Sequence, residues 1–308
     1  MEDLDFSKPA KKPADDAKPA EPAKPAAAKP AVPAAPAPLY NPAIARDFFA
    51  ACGKEEQVGA GTKLFAENEK ASRILLKRDK MYLLLEGQVG LTAHGKPVGA
   101  VKVGEIFGEM AAIAESARSA TAVAHTDCRV LSVDDKQLNA GLQQKPEFAL
   151  MLMSLMINRL RGMIGRLLGT PAAAADAGKE TRLFDKSMLA TLAQGLGEQN
   201  TVRYERGKVI MVQGQAGAFM YVVLEGRVAI TLRGTVVERV GPGGVFGEMA
   251  LVDQGARTAN ANAETDCALL TVNRQVFLNL VKADPTFAVS LLTAVAERVR
   301  NTAAGLNN

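Results

Sequence analysis

Between residues 54 and 133 the apolar positions fall in short runs punctuated by glycine, at 63–65, 81–85, 89–93, 98–101, 121–124 and 129–133. Runs of this length bounded by turn residues predict strands, and their close spacing predicts an all-β roll. The pattern changes on either side. Over 42–52, Ile44, Phe48 and Phe49 share one face of a short helix, and from Pro146 a long apolar helix runs to about residue 168. The same order returns in the second half, with strands at 202–204, 209–212, 220–224, 228–232 and 236–240, more strands after Ala259, and a helix from Pro285.

The recurrence has a constant offset of 139 residues, from Met81-Tyr82 (Met220-Tyr221) through Gly87 (Gly226), Cys128 (Cys267) and Pro146 (Pro285) to Arg159 and Arg161 (Arg298 and Arg300). A solenoid unit would be much shorter, so a whole domain is duplicated. In the first long helix Met153, Met156, Leu160, Met163 and Leu167 repeat at steps of three and four, with Ile157, Ile164 and Leu168 as a second stripe. Two apolar faces exceed what one roll needs to cover. Either one is left for another subunit, a homodimer through the helix near 148–168, or for the second domain, or both are consumed within the chain; so short a heptad run does not decide between these.

Composition agrees with two small domains and a tail. The 308 residues are 48% hydrophobic and 23% charged, as in a globular protein. A formal charge of +4 without a basic stripe does not support nucleic acid as a partner. Cys52, Cys128 and Cys267 form no CxxC pair and read as buried thiols in a reducing cytoplasm. No apolar run reaches the ~18 residues of a membrane span, and the acidic start is unlike a secretory signal. Residues 1–38 hold nine of the fifteen prolines, twelve alanines, and six lysines balanced by six acids. Such a segment buries almost nothing and is expected to be an extended, disordered tail, with residues 1–6 as its only hydrophobic docking candidate.

One cassette carries chemistry. Phe107-Gly108-Glu109-Met110-Ala111 is followed nine residues after its glutamate by Arg118; Phe246-Gly247-Glu248-Met249-Ala250 is followed at the same distance by Arg257. A glycine before the glutamate lets backbone approach a ligand, and the following residues can open a helix whose free N–H groups face an anion. The arginine can offer its planar fork to a phosphate. A glutamate beside that phosphate needs a donor, which a ribose hydroxyl supplies, and the two together describe a nucleotide. The other reading is a glutamate–arginine ion pair at a strand–helix corner; two copies with identical spacing weigh against it.

Phe-Gly-Glu-Met-Ala followed by Ala117-Arg118-Ser119-Ala120-Thr121 resembles the phosphate-binding cassette of the cyclic nucleotide-binding domain family, and Gly255-Ala256-Arg257-Thr258-Ala259-Asn260 matches equally well. The resemblance spans roughly 42–168 and 182–304. It implies a mainly β fold with flanking helices: two tandem eight-stranded β-rolls, jelly-roll-like, each closed by C-terminal helices that move on binding. The expected layout is a tail at 1–40, a first domain at 41–168, a linker at 169–181 and a second domain at 182–308. By position, Glu109 and Glu248 would accept the ribose 2′-hydroxyl and Arg118 and Arg257 would pair with the cyclic phosphate. Gly108, Met110, Ala111, Gly247, Met249 and Ala250 would supply close backbone; Ser119 and Thr258 would reach the phosphate or base. The implied ligand is cAMP. Thr258 resembles the threonine of cyclic GMP-binding cassettes, so cGMP is a candidate at the second site.

Three departures qualify this picture. The first copy carries seven extra residues between Glu69 and Met81, with 71–80 both basic and apolar. Asn68 stands where the second copy has Gly214, and asparagine tolerates a left-handed turn. Neither long helix has Trp or Tyr to cap the base. His94 and His125 are too few and wrongly spaced for a metal-dependent β-roll enzyme, so neither catalysis nor a metal is expected. The family's transcription factors add a helix-turn-helix, which this chain is not expected to have. Its tail has no arginine before Arg46, so a basic kinase pseudosubstrate is not expected. The resulting expectation is a non-enzymatic cytoplasmic sensor acting on an unidentified effector protein; the alternative is an interaction scaffold with degenerate cassettes.

Overall fold

Asn41 starts the first helix. Its side chain accepts hydrogen bonds from the Ala43 and Ile44 amides, and Pro42 stands where the missing N–H costs nothing. The computed structural model describes residues 40–70, 79–114, 116–167, 180–181, 183–253 and 255–306. The expected tail up to residue 39, nearly all of the expected linker and most of the basic insertion lie outside those residues; Tyr40, the last residue of the expected tail, packs against the folded core.

The first copy runs α1 (Pro42–Cys52), β1 (Lys54–Val58), β2 (Lys63–Phe65), β3 (Lys80–Glu86), β4 (Val89–Ala93), β5 (Lys96–Val101), β6 (Ile106–Phe107), α2 (Glu109–Ala114), β7 (Thr121–Ala124), β8 (Cys128–Asp134), α3 (Asp135–Gln144) and α4 (Glu147–Leu167). The second begins with β9 (Glu180–Thr181) and α5 (Lys186–Leu196), then β10 (Thr201–Tyr204), β11 (Val209–Met211), β12 (Met220–Glu225), β13 (Val228–Leu232) and β14 (Thr235–Val240). It closes with β15 (Val245–Phe246), α6 (Ala250–Asp253), β16 (Asn260–Ala263), β17 (Cys267–Val272), α7 (Arg274–Ala283) and α8 (Pro285–Leu306).

Each copy is an eight-stranded roll of two sheets. The first pairs β1-β8-β3-β6 and β2-β7-β4-β5; the second pairs β10-β17-β12-β15 and β11-β16-β13-β14. There β9, at the end of the expected linker, adds a parallel edge strand to β14. Register brings Tyr82 opposite Phe107 and Tyr221 opposite Phe246, with rings stacked at 5.2 and 5.0 Å. These cross-strand pairs fix the short strands β6 and β15 that deliver the cassettes. Asn68 has φ 63° and Gly214 φ 85°, so asparagine does hold the left-handed turn that glycine holds in the other copy.

Several elements escaped the hydrophobic pattern. Strand β1 is Lys-Glu-Glu-Gln-Val, an edge strand paired only with β8 and largely exposed, so it shows no apolar run. Helix α3 opens with a capping box between Asp134 and Gln137, a cue that the apolar pattern does not contain. Strands β6 and β15 are two residues long, below what periodicity detects.

Each roll has its own interior cluster, around Leu84, Val89 and Val130 in the first and Val223, Val228 and Leu269 in the second. A third cluster belongs to both copies. It joins Phe48, Phe49, Phe148, Met153, Met156 and Ile157 to Phe277, Phe287, Leu291, Leu292 and Val295. Phe48 stacks on Phe148 at 3.7 Å, and full burial of such rings contributes roughly 1.5–3 kcal/mol each. Helix α4 packs on α8 and α6, while α8 packs on α2. Met153 and Met156 of the first apolar stripe, with Ile157 of the second, are therefore buried within the chain. Side chains further along those stripes lie outside the described residues.

Candidate functional site

The cassette begins where a two-residue strand meets a tight turn. Gly108 and Gly247 have φ 76° and 73°, and a Cβ on either would stand 2.9 or 2.7 Å from the Nη1 of the cassette arginine. Glycine is needed here for both conformation and space. In the first copy helix α2 starts at Glu109; in the second the helix starts two residues later, leaving Glu248 and Met249 in the turn. Glu109 and Glu248 are both buried, at 2% and 5% exposure.

Both arginines are oriented by the same pair of main-chain carbonyls. Arg118 donates from Nη1 to Gly108 O (2.7 Å) and from Nη2 to Lys80 O (2.9 Å). Arg257 donates from Nη1 to Gly247 O (3.0 Å) and from Nη2 to Phe219 O (2.8 Å), the equivalent positions. Two of five guanidinium donors are used this way, which fixes the fork while keeping its charge for an anion. Each guanidinium also lies over an aromatic ring, Phe65 at 4.3 Å and Tyr221 at 5.8 Å. Burial lowers both guanidinium pKa values from the ordinary arginine value, with nearby acids opposing.

A cavity of about 200 Å³ opens on the first cassette, lined among others by Gly108, Glu109, Met110, Ala111, Arg118 and Ser119. These are all the residues singled out in that copy, brought together at one place. In the second copy Thr258 donates to the Met249 sulfur at 3.5 Å, and Arg257 reaches the Gly247 carbonyl as Arg118 reaches that of Gly108.

Three residues that the cassette pattern did not single out bear on the sites. Asp79, at the end of the insertion, places Oδ1 3.3 Å from Arg118 Nη2; the equivalent residue in the second copy is Ala218. Arg298 of α8 donates to Glu248 (3.0 Å), Glu238 (2.9 Å) and Val245 O (2.8 Å). Glu238 has Gly99 as its counterpart, so the three-way contact cannot be repeated in the first copy. Arg298 could have been noticed, since it recurs as Arg159; Glu238 and Asp79 had no repeat to mark them.

The histidines sit apart from both cassettes. His94 occupies a hairpin tip at φ 51°, 3.1 Å from Glu67, and exposed His125 follows β7 beside Gly90. Among the described residues no group of metal-ligating side chains occurs, and no single helix is long and apolar enough to cross a membrane. The three cysteines are free thiols; Cys128 and Cys267 are buried, and burial pushes the half-buried Cys52 up to about 11.

The sequence profile described as cyclic nucleotide-binding domain matches residues 55–145 and again 201–284. Over 102 residues the chain is 38% identical to the Cyclic AMP receptor protein of Thermus thermophilus, covering 32% of this chain and 47% of that protein. Over 220 residues it is 26% identical to the cAMP-dependent protein kinase regulatory subunit of Eremothecium gossypii, covering 71% of this chain and 43% of that one. The chain thus spans less than half the length of these two curated relatives. Among solved structures, the regulatory domain of Toxoplasma gondii PKA co-crystallised with cAMP is 20% identical with a TM-score of 0.28, covering 83% of this chain and 95% of that chain. Matched twice and over more than half its length, the chain belongs to the cyclic nucleotide-binding domain family.

Proposed function

We propose that the chain is a non-enzymatic sensor that binds a 3′,5′-cyclic nucleotide in each copy and passes occupancy to a separate effector protein. The observation that carries this reading is the twofold construction of one constellation: a buried glutamate, a left-handed glycine, and an arginine fixed by two main-chain carbonyls. In this reading Arg118 and Arg257 pair with the cyclic phosphate, and Glu109 and Glu248 accept the ribose 2′-hydroxyl. Main chain at Gly108, Met110, Ala111, Gly247, Met249 and Ala250 closes around the phosphate, and Ser119 and Thr258 reach the phosphate or base. cAMP is the main ligand. Thr258 raises the cGMP-to-cAMP affinity ratio of the second site by a few-fold to about tenfold without displacing cAMP, because a hydroxyl there can accept from the guanine 2-amino group, a bond of about 0.5–1.5 kcal/mol.

A second reading has one observation in its favour. Arg298 already occupies Glu248, as it would if the second cassette were a structural corner of a scaffold. Titration calorimetry of the full chain with cAMP and cGMP separates the two. The sensor should bind two equivalents, Arg118→Ala and Arg257→Ala one each, and the double variant none. Losing the charge-assisted contact should weaken binding at least tenfold, about 2–4 kcal/mol. Unchanged stoichiometry in a folded double variant overturns the proposal.

A further inference from the structure

The turn that leads into each cassette is held from outside by the segment that enters its domain, and the two copies do this differently. In the second copy the Leu183 and Phe184 amides both donate to Gly243 O, at 2.9 and 2.8 Å. A Cβ on Gly243 would stand 2.2 Å from Phe184 O, so main chain lies directly against main chain. Gly104 is the equivalent residue in the first copy, and a Cβ there would meet nothing within 4 Å. Its carbonyl instead accepts from the Tyr40 hydroxyl. Main-chain support in one copy is replaced by one side-chain hydroxyl in the other.

From the inside both turns are pinned alike. Gly104 N donates to Leu84 O (2.7 Å) and Leu84 N to Glu105 O (3.1 Å); Gly243 N donates to Val223 O (2.9 Å) and Val223 N to Gly244 O (2.9 Å). Glu105, Ile106 and Phe107 then line the cavity on the way to Gly108 and Glu109. The Tyr40 ring packs against the shared core, and the next residue, Asn41, caps α1. The hydroxyl is thus mounted on a rigid element and aimed at the one carbonyl that the second copy fixes with backbone. Burial, with Glu105 next and a smaller effect from Glu109, pushes this hydroxyl up to about 12, so it stays a donor at neutral pH.

We propose that Tyr40 is a positioning residue for the first nucleotide site: its hydroxyl sets the place of residues 104–107 and hence of Gly108 and Glu109. This rests on the functional reading above, and it deepens it by making the first site dependent on one side-chain contact that the second lacks. The test uses the full chain with Tyr40→Phe, which keeps the ring and removes only the donor. In an Arg257→Ala background, which reads the first site alone, Tyr40→Phe should weaken cAMP binding about three- to tenfold. In an Arg118→Ala background the second site should be unchanged. Amide exchange at Gly104 should quicken without nucleotide. A merely structural tyrosine would lower thermal stability and leave first-site affinity as it was, and that result overturns the proposal, as does equal weakening at both sites. Should the Arg257→Ala protein bind no cAMP, the functional reading fails by itself, and unchanged Gly104 exchange in Tyr40→Phe then sinks the positioning role as well.

Discussion

Arg298 and Glu248 are joined across the second site, Nη1 to Oε1 at 3.0 Å, with the other arm of the guanidinium on Glu238 at 2.9 Å. Burial alone would lower the guanidinium pKa, but the two carboxylates raise it well above the ordinary arginine value. One cation therefore stands between two acids, one of them 5% exposed. Arg298→Met would leave both carboxylates facing each other in a place of low polarity. Breaking a buried pair this way costs about 3–5 kcal/mol, and urea unfolding should show a loss of that order. A loss below about 1 kcal/mol would mean that water already screens the contact.

Asp79 has the opposite consequence for the first site. Its carboxylate lies 3.3 Å from Arg118 and competes with any phosphate for the same charge. Orientation of the arginine does not depend on it, since the Gly108 and Lys80 carbonyls remain. Asp79→Asn should raise first-site cAMP affinity by about 1 kcal/mol, roughly fivefold, read in the Arg257→Ala background. Weaker binding would identify Asp79 as an orienting group instead.

Acid should act on the first roll through Glu56. Burial would raise this carboxyl, but hydrogen bonds from Lys80 Nζ (2.6 Å) and Ser132 Oγ (2.5 Å) lower it further than burial raises it. A depressed folded-state pKa contributes stability that is complete above the ordinary value of 4.5 and is lost as pH falls through the folded value. Both side chains are about a third exposed, which limits the effect to under ~1 kcal/mol. Stability of Glu56→Gln measured by urea from pH 7 to 3 should fall less steeply below pH ~4.5 than that of the parent. Parallel curves would remove Glu56 from the acid response.

Helix α8 bears on both cassettes. Thr293 Oγ1 donates to Ile113 O at the α2 helix of the first copy (3.0 Å), and Arg298 reaches Glu248 in the second. A ligand that prefers one position of this helix must bias it for both sites. With cAMP present, hydrogen exchange should slow in 104–121, and also in 150–158 and 287–300. In Arg257→Ala, where only the first site binds, residues 287–300 should still be protected. Protection confined to the cassettes would leave occupancy without a route out of the site.

The cassettes were legible because their chemistry is local: glycine, glutamate and arginine lie within ten residues and need only one turn to meet. The strands were legible where both faces are covered, as at Val228–Leu232, and invisible at Lys54–Val58, whose exposed edge carries charge. Asp79 carried no signal in the sequence, and Arg298 only its recurrence as Arg159, which did not say what it touches. Their partners lie 39 and 50 residues away in the chain, and only the closed roll and the folded helix bring them together. The apolar stripes on the first long helix left open whether another subunit or the chain itself covers them; in the fold α4 lies against α8. Spacing along one helix holds no information on which element covers it.

The third core cluster, built jointly by α1, α3 and α4 with α7 and α8, has a consequence for the chain as a covalent object. Phe148, Met153 and Met156 from one half and Phe287, Leu291 and Val295 from the other share one buried cluster, in which α4 lies against α8. The peptide link between them supplies proximity, and the association itself resides in the packed helices. A protein nicked between residues 167 and 183 would behave as a heterodimer, with its two fragments copurifying. In that sense the single polypeptide is a subunit pair written end to end.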